Sequence, residues 1–191
     1  MLESRFEMGR RMEPIRDLKL LEEFKSRLMD WNIRNWLLFV LGINTGLRVS
    51  DILPLRVKDI LGRTHFDIRE KKTHKLRRIL ITDTIRAYVD YYLSVCPWLT
   101  NDDYLFESQR KGRPISTVQA WRILSEVGLS LGLENIGTHT MRKTFGYHFY
   151  KRTKDIATLK TILNHTTERM TMLYIGLIQE SIDEALEDFN L

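Results

Sequence analysis

The sequence predicts an α+β, mostly α, domain with a small antiparallel sheet near its centre. Three observations lead there. At 43% hydrophobic residues, a 191-residue chain can bury a real core. Apolar positions recur with helical spacing along most of the length. Two short stretches in the middle switch to strict alternation of apolar and polar residues.

Residues 1–13 are charged, show little periodicity and read as a lead-in segment. From Asp17, residues Leu18, Leu21, Phe24 and Leu28 fall on one helical face, and the Asp17 carboxylate can cap the free N–H groups of that first turn. A second helix, about 33–44, is apolar nearly all round and should be buried. "NTG" at 44–46 stops it, and a short helix then carries "LRVSDIL" to Pro54. Thr64, Phe66 and Ile68 alternate with His65, Asp67 and Arg69; Ile79 and Ile81 alternate with Arg78 and Leu80. These are two strands, joined by the basic connection "EKKTHKLR". Helical patterns resume at about 83–95, 116–130, 138–151, 155–163, 167–174 and 180–188. Ser181 opens the last, with Glu184 three residues on as in a capping box.

Bulk properties exclude some classes and favour others. The longest strongly apolar run, "WLLFVLGI", has eight residues, against the roughly 20 that a membrane helix needs. The start "MLESRFEMGRR" lacks the apolar stretch of a signal peptide, and the single cysteine, Cys96, has no internal disulfide partner. A cytoplasmic, reducing setting is expected. Net charge is +5, but residues 177–191 hold five acids and no Lys or Arg, leaving +10 on residues 1–176. A polyanion such as nucleic acid is the natural partner; the acidic tail reads as a solvated helix face.

Three separated segments and one hairpin hold the candidate chemistry. In "LNHTTERMTMLYIG" (163–176), His165 and Tyr174 stand nine residues apart. One straight helix at about 100° per residue would send them to opposite faces, so they can converge only across a turn. Asn164, Thr166 and Thr167 supply turn or capping residues, and Glu168 suits the start of a new helix. In "TGLRVSDILPL" (45–55), Arg48 and Asp51 are spaced i, i+3, so one carboxylate can steady one guanidinium. In "HTMRKTFGYHFY" (139–150), His139 and Arg142 share a helix face. Lys72 lies in the hairpin beside Lys71 and Lys75. Taken singly these are a packed aromatic, a surface ion pair, a structural histidine and a wet loop. Together they meet a chemical specification. A phosphodiester gathers charge on two nonbridging oxygens during displacement, and two guanidinium groups match them. A neutral tyrosine is a poor nucleophile and needs its proton removed or its developing charge stabilised by nearby histidines, and the 5′-oxygen that leaves needs a proton delivered.

The order and spacing of "TGLRVSDILPL", "KKTHKLRRILI", "HTMRKTF" and "LNHTTERMTMLYI" resemble the catalytic domain of the tyrosine recombinases, the phage integrase family, over about residues 14–180. The resemblance implies a tyrosine recombinase-like catalytic domain over 14–191. It implies that Arg48 and Arg142 hold the scissile phosphate of double-stranded DNA and that His139 assists proton transfer. Lys72, placed before Thr73 as in the family's Lys-Thr pattern, is implied as general acid for the leaving 5′-hydroxyl. His165 is implied as a donor to a phosphate oxygen, Tyr174 as the nucleophile that forms a 3′-phosphotyrosine, and Asp51 as an acid supporting the site. No cofactor and no metal is implied, since the phosphotyrosine bond conserves the energy of the broken ester. The family's usual N-terminal core-binding domain has no counterpart in the residues before position 14. A monomer in solution that assembles on paired DNA sites is expected. Two rivals are a type IB topoisomerase-like relaxer, which shares the chemistry, and a noncatalytic DNA-binding regulator, which has no need of Tyr174.

Overall fold

The computed structural model describes residues 12–187 and 189. Helix α1 (Leu18–Trp31) starts where the Asp17 carboxylate accepts from the N–H groups of Lys19 and Leu20, and its apolar stripe buries Leu21, Phe24 and Leu28. Helix α2 (Ile33–Thr45) is buried along nearly its whole length because α1, α5 (Asp83–Val95) and α7 (Thr138–Thr153) all pack against it. Phe24 stacks on Phe39 at 4.6 Å across the first of these contacts. Helix α2 ends at Gly46, whose φ of 62° is the left-handed conformation glycine adopts most readily. A Cβ there would also run into the Phe145 ring, so chain reversal and close packing both require glycine.

The short helices α3 (Val49–Ile52) and α4 (Val57–Ile60) follow. The second was not expected from sequence, because four residues are too few to show a period. Strands β1 (His65–Arg69) and β2 (Leu76–Leu80) pair antiparallel with Ile68 opposite Arg77 and Arg69 opposite Leu76. Phe66, Ile68 and Ile79 face the core. The mostly helical domain with one small antiparallel sheet matches the expected class.

After α5, an irregular stretch leads to α6 (Thr117–Ser130), capped by Ser116, and then to α7. Helices α8 (Ile156–Ile162), α9 (Glu168–Tyr174) and α10 (Leu177–Glu187) close the chain around a second small cluster of Leu159, Leu163 and Ile175. Here the sequence expectation needs one correction. Gly176, at φ 84°, breaks the chain after α9, so α10 begins at once and Ser181 lies inside it rather than capping it. None of the residues of α10 is buried, and Ile182 and Leu186 are exposed. No helix among the described residues is long and apolar enough to cross a membrane.

Candidate active site

The predicted turn between His165 and Tyr174 is present. The Thr167 hydroxyl accepts from the Met170 N–H and starts α9, seven residues that end on Tyr174. The reversal brings the two rings into an edge-to-face contact, centroids 5.0 Å apart. Gly146 on α7 sets the depth of this helix. It lies so close to Ile175 that a Cβ would stand 2.7 Å from Cγ2 of that fully buried residue. The Tyr174 hydroxyl is thereby held 3.5 Å from Nδ1 of His139, a long contact, at the start of the same helix α7.

Arg142, one turn after His139, is 2% exposed. Its guanidinium donates to the carbonyl of Gly46 and, over 2.6 Å, to that of Leu163. Two of its five N–H groups are so engaged. Burial, partly offset by the neighbouring Tyr174, lowers its pKa to about 10, which still leaves it fully charged at neutral pH. Arg48 stands at the N-cap of α3 with extended backbone, 16% of its side chain exposed. That conformation defeats the expected Arg48–Asp51 pair, because i, i+3 spacing aligns side chains only when both residues are helical. Asp51 instead accepts from the backbone N–H of Lys71 over 2.9 Å and so anchors the hairpin. The carboxylate beside Arg48 belongs to Glu70, 3.1 Å away.

His165 is half-buried, and Nδ1 lies 3.1 Å from the Thr171 hydroxyl. Burial first, then the charges of Arg142 and Arg48, lower its pKa to about 4, so it is neutral at physiological pH. Burial raises the pKa of Tyr174, and the charges of Arg142 and Arg48 pull it the other way. A phenol with a raised pKa must lose its proton as it attacks, not before. Lys72 is exposed in the connection between the strands. Of its neighbours, Lys75 is tied to Asn164 Oδ1 at 2.9 Å.

Arg48, His139, Arg142, His165 and Tyr174 therefore share one site, and Lys72 stands on the adjoining hairpin. Three participants went unread in the sequence. Buried Glu70 and half-buried Arg77 form an ion pair at 2.8 Å, and Lys143, 7% exposed, places Nζ 5.2 Å from the centre of the Tyr174 ring. The phase of the first strand carries a usable signal for Glu70, because Phe66, Ile68 and Glu70 are two residues apart and must share the inner face.

The phage integrase family description matches residues 16–180. Probable integrase/recombinase YoeC of Bacillus subtilis (strain 168) is 47% identical over 178 residues, which are 93% of this chain and 97% of that protein. Tyrosine recombinase XerA of Pyrococcus furiosus is 34% identical over 163 residues, 83% of this chain; the chain spans 56% of that longer relative. Among solved structures, a crystal structure of XerA recombinase superimposes with a TM-score of 0.72 at 20% identity, covering 94% of this chain and 66% of the other. A XerH site-specific recombinase bound to palindromic difH substrate, in its post-cleavage complex, gives 0.71 at 21% identity, with coverage of 93% and 54%. At such identities the structural likeness is one of fold. The chain belongs to the phage integrase family, the tyrosine recombinases.

Proposed function

We propose that this chain is the catalytic domain, residues 14–191, of a site-specific DNA recombinase that breaks and rejoins duplex DNA through a covalent 3′-phosphotyrosine. One observation carries the reading: the Tyr174 hydroxyl faces His139 at 3.5 Å, its ring packs on His165, and the charges of Arg142 and Arg48 reach it. A tyrosine serving only as packing has no use for two arginines and two histidines.

In the proposed step, the Tyr174 oxygen attacks phosphorus as its proton passes to His139. The bond from phosphorus to the 5′-oxygen breaks, and Lys72 gives that oxygen a proton. Arg48 and Arg142 hold the nonbridging oxygens, where charge grows; His165, neutral, contributes a ring N–H. Rejoining runs the same steps backward from a free 5′-hydroxyl. Asp51 supports the site by holding the Lys71 N–H, which fixes the residue next to Lys72.

Double-stranded DNA is the substrate, met by the positive charge of residues 1–176. The chain is a monomer in solution and assembles on paired sites, a reading supported by the exposure of Ile182, Leu186 and Phe189 at the C-terminal end. A suicide substrate, nicked so that the cleaved 5′-fragment diffuses away, tests the chemistry. A protein–DNA adduct that survives denaturant is expected, and its absence excludes the enzyme in favour of a DNA-binding regulator. A two-site assay then separates recombination from relaxation, and sedimentation with and without site DNA reports assembly.

A further inference from the structure

We propose that Glu70 is a positioning residue: its carboxylate clasps the Lys72 hairpin to Arg48 and to the loop that carries His165, so that the general acid and the phosphate-binding arginine are held as one unit. The inference rests on the site roles proposed above.

The Glu70 side chain is 0% exposed. A carboxylate taken fully out of water is strongly disfavoured unless charge and hydrogen bonds compensate. Here the compensation comes from four groups on four different pieces of chain. Oε1 accepts from Arg77 Nη1 on β2 at 2.8 Å. Oε2 accepts from the Thr73 hydroxyl in the turn at 2.6 Å, lies 3.1 Å from Arg48 Nη1, and meets Asn164 Nδ2 at 3.4 Å. The backbone of Glu70 also closes the turn itself. Its N–H donates to Lys75 O at 3.0 Å, and its carbonyl accepts from His74 N–H at 2.8 Å, which leaves Lys72 inside the loop so formed. Asn164 completes the circuit, since its Oδ1 accepts from Lys75 at 2.9 Å and His165 is the next residue.

Two features separate this from a carboxylate that only stabilises the fold. First, two guanidinium groups share one carboxylate, so a positive charge is left over on the side where the phosphate must bind. Second, Arg48 Nη1 is buried 3.1 Å from Glu70 and has no other partner among the described residues. Glu70 fixes where that nitrogen sits while its N–H groups await an acceptor from outside the protein. Any movement of the hairpin is thus transmitted through Oε2 to Arg48, and through Asn164 to the His165 loop.

Glu70→Gln keeps the shape and removes the charge. Single-turnover cleavage is measured on an ordinary phosphodiester and on a 5′-bridging phosphorothiolate, whose sulfur leaves without a proton. DNA affinity should change little, while cleavage of the ordinary substrate should slow by about 10²-fold, the scale of ångström-sized misplacement of reacting groups. On the phosphorothiolate the share of the defect owed to Lys72 should vanish, leaving the smaller share owed to Arg48. In a Lys72→Ala background the substitution should cost far less than in the wild type, because the two act through one group. Glu70→Asp should restore part of the rate. Wild-type cleavage by a folded Glu70→Gln protein would overturn the clasp. So would equal defects on both substrates combined with additivity toward Lys72→Ala. If Glu70→Gln does not fold, Arg77→Met and Thr73→Val each remove one partner and face the same readouts. Hydrogen exchange of the amides of residues 70–76 judges the clasp without any catalysis: they should exchange faster in the variant. A wild-type protein that forms no adduct defeats the proposed function, whereas unchanged exchange defeats the clasp.

Discussion

Arg142 Nη2 lies 2.6 Å from the carbonyl oxygen of Leu163, and the other terminal nitrogen of the same guanidinium reaches the carbonyl of Gly46. Leu163 stands two residues before His165, and Gly46 two before Arg48. One side chain on α7 thus ties down both loops that present Arg48 and His165. Arg142→Lys keeps a charge but has no fork. It should lower cleavage by about 10²–10³-fold, the usual loss when a donor to developing charge is removed. It should also destabilise the fold by about 1–3 kcal/mol, the cost of a buried carbonyl left unpaired. Urea unfolding alongside single-turnover cleavage checks both; a slow variant of wild-type stability would show that the two carbonyls are incidental.

Tyr174→Phe removes only the hydroxyl, and the ring can still pack against His165. The covalent adduct should disappear while noncovalent DNA binding stays close to wild type. Denaturing gels after suicide-substrate incubation read the first, and filter binding reads the second. Adduct formed by the variant would move the nucleophile elsewhere.

Lys72→Ala should slow cleavage of the ordinary phosphodiester strongly and recover much of its rate on a 5′-bridging phosphorothiolate. The comparison matters because Lys71 and Lys75 are close by. The Lys75 ammonium is already tied to Asn164 at 2.9 Å. Rescue in Lys75→Ala or Lys71→Ala, and none in Lys72→Ala, would transfer the general-acid role along the hairpin.

What the sequence disclosed, and what it hid, follows from how each group is held. Helices α1 and α5 were legible because their apolar stripes have enough turns to show a period, with Asp17 marking the start of α1, and α2 because it is apolar nearly all round over three turns. The site residues became legible as a set through motif order, not through any single spacing. The partner of Arg48 was hidden because sequence spacing points to Asp51, whereas the N-cap backbone aims Arg48 at Glu70, the residue just past β1. Glu70 was masked by company: inside "EKKTHKLR" a glutamate reads as one charge of a solvated turn, although strand alternation carried one residue further puts it on the buried face. The two carbonyls that hold Arg142 leave no trace in residue identity, since every residue has one. Lys143 was overlooked because one residue along a helix normally turns a side chain about 100° away from its neighbour's face.

The Thr171 hydroxyl, fully buried, lies 3.1 Å from His165 Nδ1 and 3.2 Å from the carbonyl of Thr167. It has one proton for two acceptors. When it donates to Nδ1, the imidazole proton sits on Nε2, where it is free for a phosphate oxygen; this is the tautomer the proposed role requires. Thr171→Val should therefore cut the cleavage rate by about tenfold or more, within the range for loss of a positioned proton donor. Binding should be retained, since no charge is lost. Single-turnover rates and affinities measured together decide it, and an unchanged rate would show that His165 needs no help in choosing its tautomer.

Stability should fall on the acid side in two separable windows. His165 has its pKa lowered from 6.5 to about 4, by burial and then by the charges of Arg142 and Arg48. The unfolded chain takes up that proton first, so the stability tied to a neutral His165 is complete above about 6.5 and is lost as pH falls toward about 4. For Glu70 burial opposes ionisation, but hydrogen bonds from Thr73 and Arg77 and the charge of Arg48 outweigh it and hold the carboxyl at about 2 against an ordinary 4.5. Its contribution is complete above about 4.5 and is lost as pH falls toward about 2. Urea unfolding across pH should show both slopes in the wild type. His165→Gln should flatten the upper window alone and Glu70→Gln the lower one alone. The His165 ring resonance, followed by nuclear magnetic resonance, should titrate near pH 4. A midpoint near 6.5, with an unflattened upper slope in His165→Gln, would mean that the arginines and the burial around this imidazole do not keep it neutral.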